Sequence, residues 1–319
     1  MSAEWSGWAD EQWNPITGCF RKDCHWCKQR SNKLFNGDLR LYKNKGSYQI
    51  ENGFYVLDEP ILSEAGASIR QPFGFEPTYH RYRLRYLDKP TGNTALLVSQ
   101  AGEMFAPWVS EEYISEILTA CKEHQRHSYL FRTTYPERYH VLSKKGMLPE
   151  GNNFWYGATV TQGFVTDRNT YLPARYHRFI SVTPILGETV ISGNVEWVII
   201  GADTRKGQKR IVPDPNWIID LISGCREQGI PVFTEESADE LIPEEYRQHD
   251  IPEKLQRAKE AASDHKWTGV CQRCKKIDQK TNMMAVMKRD KATHGTILLM
   301  YLCNKCFRKF TKEYGLEES

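Results

Sequence analysis

From Thr94 onward the chain alternates apolar runs of strand length with stretches whose apolar residues recur at helical spacing. This alternation limits the fold more than any other feature. The runs lie at residues 95–99, 128–133, 154–161, 178–183, 195–201 and 230–234. Between them Ile114, Ile117, Leu118 and Cys121 follow an i, i+3, i+4, i+7 stripe, and Ile218, Leu221, Ile222 and Cys225 repeat it. Asp214 reads as the N-cap of the second stripe with Pro215 at its first helical position. Residues 136–146 read as a shorter helix, with Pro inside its start and Gly past its end. Strands alternating with helices predict an α/β fold with a parallel sheet and crossover helices. Six such strands, with a short one before Cys19, predict a barrel or partial barrel. Cys121 and Cys225 close their stripes and are therefore expected in the core, as small hydrophobes.

The other cysteines are grouped for metal ligation. Cys19, Cys24 and Cys27 stand in a C-x4-C-x2-C loop just after the Asn14-Pro15-Ile16-Thr17-Gly18 turn. Three thiolates fall one short of a closed four-ligand site, and three ligands with one open position suit a catalytic centre. Cys271, Cys274, Cys303 and Cys306 form two C-x2-C knuckles 28 residues apart, the signature of a structural zinc ribbon. A module of that size needs such a staple to fold alone. Seven of nine cysteines in ligand spacings fit a reducing compartment, so a cytoplasmic protein is expected. No run approaches the about 18 apolar residues of a membrane span, and Met1-Ser2-Ala3-Glu4-Trp5 has no signal pattern.

Charge is unevenly spread. Residues 253–319 hold fifteen Lys and Arg against eight Asp and Glu, a net of +7, which leaves −4 on the rest of a chain whose total is +3. A basic terminal module on a mildly acidic body suggests contact with a polyanion, and nucleic acid is the expected partner; a solvated lysine-rich module is the alternative. Residues 28–93 carry recurrent Gly, Pro and Asn, as at Asn36-Gly37 and Asn52-Gly53, and are expected to form loops and short elements, with the role of a substrate-facing lid. Within them, Arg81-Tyr82-Arg83-Leu84-Arg85-Tyr86 alternates with period two, which predicts a strand with three arginines on one face.

Several local motifs converge on a known family. They are Trp13-Asn14-Pro15-x-Thr17-Gly18-Cys19 with Cys24 and Cys27, then Met104-Phe105-Ala106-Pro107-Trp108-Val109, Thr133-x-x-Pro136-Glu137-Arg138 and Gly157-Ala158-Thr159-Val160. Further on come Phe179-Ile180-Ser181-x-x-Pro184-Ile185-Leu186-Gly187 and Trp197-Val198-Ile199-Ile200-Gly201. Over residues 5–236 the chain resembles the radical SAM superfamily, in particular a phage-type branch related to spore photoproduct lyase. The resemblance implies a partial (β/α)6 barrel over residues 1–250; outside it, the residues themselves read as a linker helix at 251–269 and the zinc-ribbon module at 270–319. It implies a [4Fe-4S] cluster on Cys19, Cys24 and Cys27 whose open iron chelates S-adenosyl-L-methionine. An external one-electron reductant would then cleave that cofactor to a 5′-deoxyadenosyl radical that abstracts a substrate hydrogen. It further implies that Gly102 and Glu103, with Ser99 nearby, bind the cofactor's amino group. Thr159 and Thr161 would meet its carboxylate or ribose, and Gly201 and Asp203 its adenine or ribose side. The chain departs from the superfamily's common C-x3-C-x2-C spacing by one residue in the first gap, and carries Gly201-Ala202-Asp203 where its relatives often have Gly-Gly-Glu.

Two function classes follow. The first is a radical SAM enzyme acting on a nucleic acid or nucleotide-derived group. The second is a non-catalytic nucleic-acid-binding protein with zinc at both cysteine clusters, where His25 would complete the first. His25 lies between Cys24 and Cys27, a position from which its imidazole reaches their metal poorly.

Overall fold

A computed structural model describes residues 7–21, 48–63, 66, 68–88, 94–204, 210–255, 268–270, 277–279, 283–289 and 296–314. The chain divides into two compact units, Met1–Ala262 and Ser263–Ser319. In chain order the first contains β1 (Glu11–Trp13), β2 (Ile16–Thr17), β3 (Gln49–Glu51), β4 (Phe54–Leu57), β5 (Thr78–His80), β6 (Ala95–Val98), α1 (Glu111–Glu123), β7 (Ser128–Thr133), α2 (Glu137–Lys144), β8 (Phe154–Val160), β9 (Gly163–Thr166), β10 (His177–Val182), β11 (Thr189–Ser192), β12 (Val198–Ile200), α3 (Pro215–Glu227) and β13 (Val232–Thr234).

Seven of these strands form one curled parallel half-barrel in the order β1-β6-β7-β8-β10-β12-β13. Each strand pairs in parallel with the next, so the spatial order follows the chain order. The three helices form where the sequence predicts them. Ser110 caps α1 by accepting from Tyr113 N at 3.2 Å, and Asp214 caps α3 by accepting from Asn216 N at 2.9 Å. The stripe residues of α1 and α3, Cys121 and Cys225 included, are all buried. The α1 stripe, with Tyr139 and Leu142 of α2, packs on Leu96, Tyr129, Phe131 and Tyr156 of the convex sheet face. The α3 stripe packs on Ala158, Ile180, Val198 and Val232 of the same face. Each fully buried large aliphatic contributes about 1.5–3 kcal/mol. Strict strand–helix alternation is broken after β8 and after β10. The crossovers from β8 to β10 and from β10 to β12 contain no long helix; they carry β9 and β11, which pair in parallel as a separate ribbon. Gly163, Pro173, Pro184, Gly187 and Gly193 punctuate those stretches too often for a helix to propagate.

The described residues between 48 and 88 form short elements. With β2 they form a four-stranded sheet in the order β2-β5-β4-β3. Asn52 (φ 50°) and Gly53 (φ 83°) make the two-residue turn that joins β3 to β4, the hairpin geometry Asn-Gly favours. Phe54, Val56 and Tyr79 join the same core as α1. Residues Arg81–Asp88 form a 3-10 helix, not the predicted strand. A strand would aim all three arginines one way, whereas here each has its own partners. Arg81 bonds Glu116 and Asp58, both at 2.8 Å, Arg83 donates to the Asn14 carbonyl at 2.6 Å, and Arg85 pairs with Glu59 at 3.1 Å.

The second unit holds two antiparallel pairs, β14 (Thr268–Val270) with β15 (Ile277–Gln279) and β16 (Met283–Arg289) with β17 (Thr296–Cys303), then α4 (Asn304–Tyr314). The expected linker helix falls mostly outside the described residues.

Candidate functional site

The concave face of the half-barrel is layered. Side chains of one strand face alternate, so Leu130 and Arg132 share a face, as do Trp155, Gly157 and Thr159, and Phe179 and Ser181. Toward the amino ends of the strands this face is an aromatic plug of Trp8, Leu97, Leu130, Trp155, Phe179, Trp197 and Phe233, all buried. Trp8 meets Trp197 edge-on with ring centroids 5.8 Å apart. Gly157 is glycine because any Cβ there would overlap the Phe179 ring. Toward the carboxyl ends the face turns polar, in the place where parallel α/β sheets carry their sites.

Arg132 is the centre of this polar layer. Its guanidinium donates to Ser181 Oγ at 3.2 Å and to Gln100 Oε1 at 2.6 Å, and lies 5.7 Å from the Trp8 ring centroid. Burial lowers its pKa, while the carboxylates of Glu235 and Glu103 oppose that shift and keep the cation in place. Glu235 follows β13, and its carboxylate accepts from Trp8 Nε1 at 3.0 Å. The Ser181 hydroxyl in turn donates a hydrogen bond to Thr183 Oγ1 at 3.0 Å.

Glu103 lies one turn beyond β6. It accepts from the Thr133 hydroxyl, from Thr134 N at 3.1 Å and from the Thr134 hydroxyl at 3.0 Å. Burial pushes its carboxyl above the usual value, against the pull of those three donors and of Arg132. Ser99 shapes the turn into this segment. It has a positive φ of 56°, its Oγ accepts from Ile16 N at 3.3 Å, and its carbonyl accepts from Gly102 N at 3.0 Å.

Cys19 is attached to the same corner. Gly18 N donates to Ala101 O at 2.9 Å, and Gly18 forms a parallel bridge with Gly102. Cys19 and Glu103 thus follow directly from bridged neighbours. Both glycines are required. Gly18 has φ 76° and faces the Glu76 carbonyl, while a Cβ on Gly102 would stand 2.9 Å from the Ile16 carbonyl oxygen. The Cys19 thiol is half-buried, and its Sγ accepts from Arg21 N at 3.4 Å. Cys24, Cys27 and His25 lie outside the described residues.

The remaining sequence candidates are spread along the same sheet edge. Thr159 pairs in register with Ser181, and the Thr161 carbonyl accepts from Leu186 N at 2.7 Å. Gly201 is buried where a side chain would collide with the Glu235 carboxylate. Asp203 is buried, and its carboxylate accepts from Ile211 N at 3.0 Å. Arg132, Gln100, Ser181 and Glu235 are site residues that sequence reasoning missed. Arg132 had a signal, a charge inside an otherwise apolar strand run.

In the second unit, Cys271 and Cys274 lie outside the described residues, between the paired strands β14 and β15. Cys303 ends β17, and Cys306 is half-buried in the first turn of α4. Among the described residues no group of three or more His, Cys, Asp or Glu is placed to hold a metal, and no helix is long and apolar enough to cross a membrane.

A protein-family model described as a protein of unknown function, DUF5131, matches residues 5–272. No curated protein and no solved structure matches.

Proposed function

The chain belongs to the DUF5131 family, and we propose that it is a radical SAM enzyme acting on a nucleic-acid or nucleotide substrate. One observation carries the reading: the backbone bridge between Gly18 and Gly102 brings together the chain segments that continue directly into Cys19, the first thiol of the loop, and Glu103, at the carboxyl edge of a parallel half-barrel.

The donor set fits the groups. Cys19, Cys24 and Cys27 would hold a [4Fe-4S] cluster, leaving the fourth position for S-adenosyl-L-methionine. When bound and reduced, cluster and cofactor would supply a 5′-deoxyadenosyl radical for hydrogen abstraction. Glu103 would receive the cofactor's ammonium: a carboxylate offers about four lone-pair sites, and Thr133 and Thr134 occupy three. Gly102 would let that group approach the backbone. Thr159 and Thr161 would meet the carboxylate or ribose, and Gly201 and Asp203 would shape the adenine or ribose side. Ser99 would act through the turn it forms, since its hydroxyl already serves Ile16 N. The aromatic plug beneath this layer would exclude water from below.

Cys271, Cys274, Cys303 and Cys306 would hold Zn2+. Supporting this, the first knuckle lies in sequence between the paired strands β14 and β15, and the second spans the end of β17 and the start of α4. Nucleic acid is the partner proposed for this unit. Lys305, Arg308, Lys309 and Lys312 recur on one face of α4 at i, i+3, i+4, i+7 and are exposed.

The test is anaerobic purification, reconstitution with iron and sulfide, and incubation with reductant and S-adenosyl-L-methionine. Iron at the N-terminal site and released 5′-deoxyadenosine are expected. Zinc at both sites with the cofactor intact would leave the non-catalytic zinc-protein reading. Cys19→Ala, Cys24→Ala and Cys27→Ala are each expected to lose the iron and keep the zinc.

A further inference from the structure

The sheet formed by residues 48–88 grips the cysteine loop from the side opposite Gly102. Strand β2, two residues before Cys19, pairs antiparallel with β5, Ile16 opposite Tyr79 and Thr17 opposite Thr78. His80 N donates to the Pro15 carbonyl at 2.8 Å, and Cys19 N donates to the Phe75 carbonyl at 3.2 Å. The Gly18 backbone is closed in by the carbonyls of Phe75 and Glu76. Residues 16–19, at the start of the loop, are thus held between two walls.

One side-chain bond locks this seat. Thr17 Oγ1 and His80 Nε2 are 2.9 Å apart, with Thr17 1% and His80 0% exposed. His80 Nδ1 is buried with no hydrogen-bond partner. An orphaned buried N–H is rarer than an orphaned acceptor, and Arg83 lies close enough for its charge to act on the ring. Both point to a neutral imidazole with a bare Nδ1 that donates from Nε2 to the threonine. Burial, then Arg83, holds the His80 pKa well below its ordinary value, consistent with that neutral ring. Tyr82 meets the imidazole edge-on at 5.7 Å. A histidine sealed under a strand of only two residues, with one nitrogen left unpaired, is costly as core packing. Its return is the orientation of Thr17.

We propose that the sheet of β3, β4 and β5 is a clamp on the start of the cysteine loop and not a lid, with His80 as the positioning residue that holds Thr17 and thereby sets Cys19 for metal ligation. This rests on the reading of Cys19 as a cluster ligand, and its test separates the two.

The first arm uses the full-length apo protein and needs no cluster. Iodoacetamide labelling is followed at Cys19 by mass spectrometry, with Cys306 of the other unit as the internal control. Thr17→Val, which keeps the shape, and His80→Leu are each expected to raise Cys19 labelling about fivefold, the opening that loss of one net hydrogen bond allows, with Cys306 unchanged. The double variant should match the singles, and His80→Gln, whose amide can donate from the same place, should restore the wild-type rate. The second arm records the electron paramagnetic resonance spectrum of the reduced, reconstituted protein, which should shift in Thr17→Val and His80→Leu at unchanged iron content. Wild-type Cys19 labelling in folded Thr17→Val and His80→Leu overturns the clamp. Wild-type protein that takes up no iron overturns the cofactor reading, while the labelling arm still decides the clamp.

Discussion

Glu103 accepts from three donors, and burial pushes its carboxyl above the usual value against their pull. Glu103→Gln replaces one acceptor oxygen with an NH2 that cannot accept from Thr133 or Thr134. The expected result is a folded protein that takes up iron at wild-type level but binds S-adenosyl-L-methionine at least about tenfold more weakly, the scale of one charge-assisted hydrogen bond. Equilibrium dialysis against the cofactor checks it. At the opposite edge of the sheet, Glu196 has a purely structural role. Burial alone would raise its carboxyl, but His177 at 2.9 Å and Lys254 at 2.9 Å outweigh that and bring its pKa to about 2. A depressed acid stabilises the fold above its unfolded value of about 4.3, and that contribution disappears as pH falls toward about 2. Glu196→Gln is therefore expected to remove up to about 3 kcal/mol at neutral pH and to flatten thermal stability between about pH 4 and 2. Gly157→Ala tests the aromatic plug: its methyl would overlap the Phe179 ring, costing about 1–3 kcal/mol in thermal unfolding.

At the level of elements, what was legible followed from range. The stripes of α1 and α3 and the Asp214 cap are encoded within one or two turns, so they, and the burial of Cys121 and Cys225, could be read from spacing alone. Ser110→Ala, which leaves Tyr113 N without its cap, is expected to cost about 1 kcal/mol by denaturant unfolding. The barrel strands were legible as runs because they are buried on both faces. Strands β2 to β5 were not. They are two to four residues long, and the partner of Ile16 is Tyr79, so their stability lies in pairing across the chain and not in any local pattern. The period-two alternation at residues 81–86 misled for the same reason: acceptors from Asn14, Asp58 and Glu116, far off in sequence, wound it into a 3-10 helix. Cys19 and Glu103 each follow a glycine and stand in motifs, whereas Arg132 and Glu235 enter the site only once the sheet curls.

Across the whole molecule, the charge asymmetry gains a location. Residues 263–319 hold twelve Lys and Arg against six Asp and Glu, so this unit is net positive and the rest of the chain net negative. On α4 the exposed cations share one face, while Cys306, Phe307 and Phe310 are half-buried. A helix anchored by its cysteine and phenylalanines and presenting four cations fits a phosphate backbone, because each cation that neutralises a phosphate releases a condensed counterion. Lys305→Gln, Lys309→Gln and Lys312→Gln combined remove three such charges and leave Cys306 and both phenylalanines untouched. The log–log salt slope of duplex DNA binding by the full-length protein should then fall by about 2–3, with a similar loss for every sequence, since phosphate contacts carry no base readout. Zinc content and circular dichroism must stay at wild-type level for the comparison to hold. An unchanged salt slope in that folded, zinc-loaded variant would move nucleic-acid contact away from α4 and leave its lysines as a solvated face.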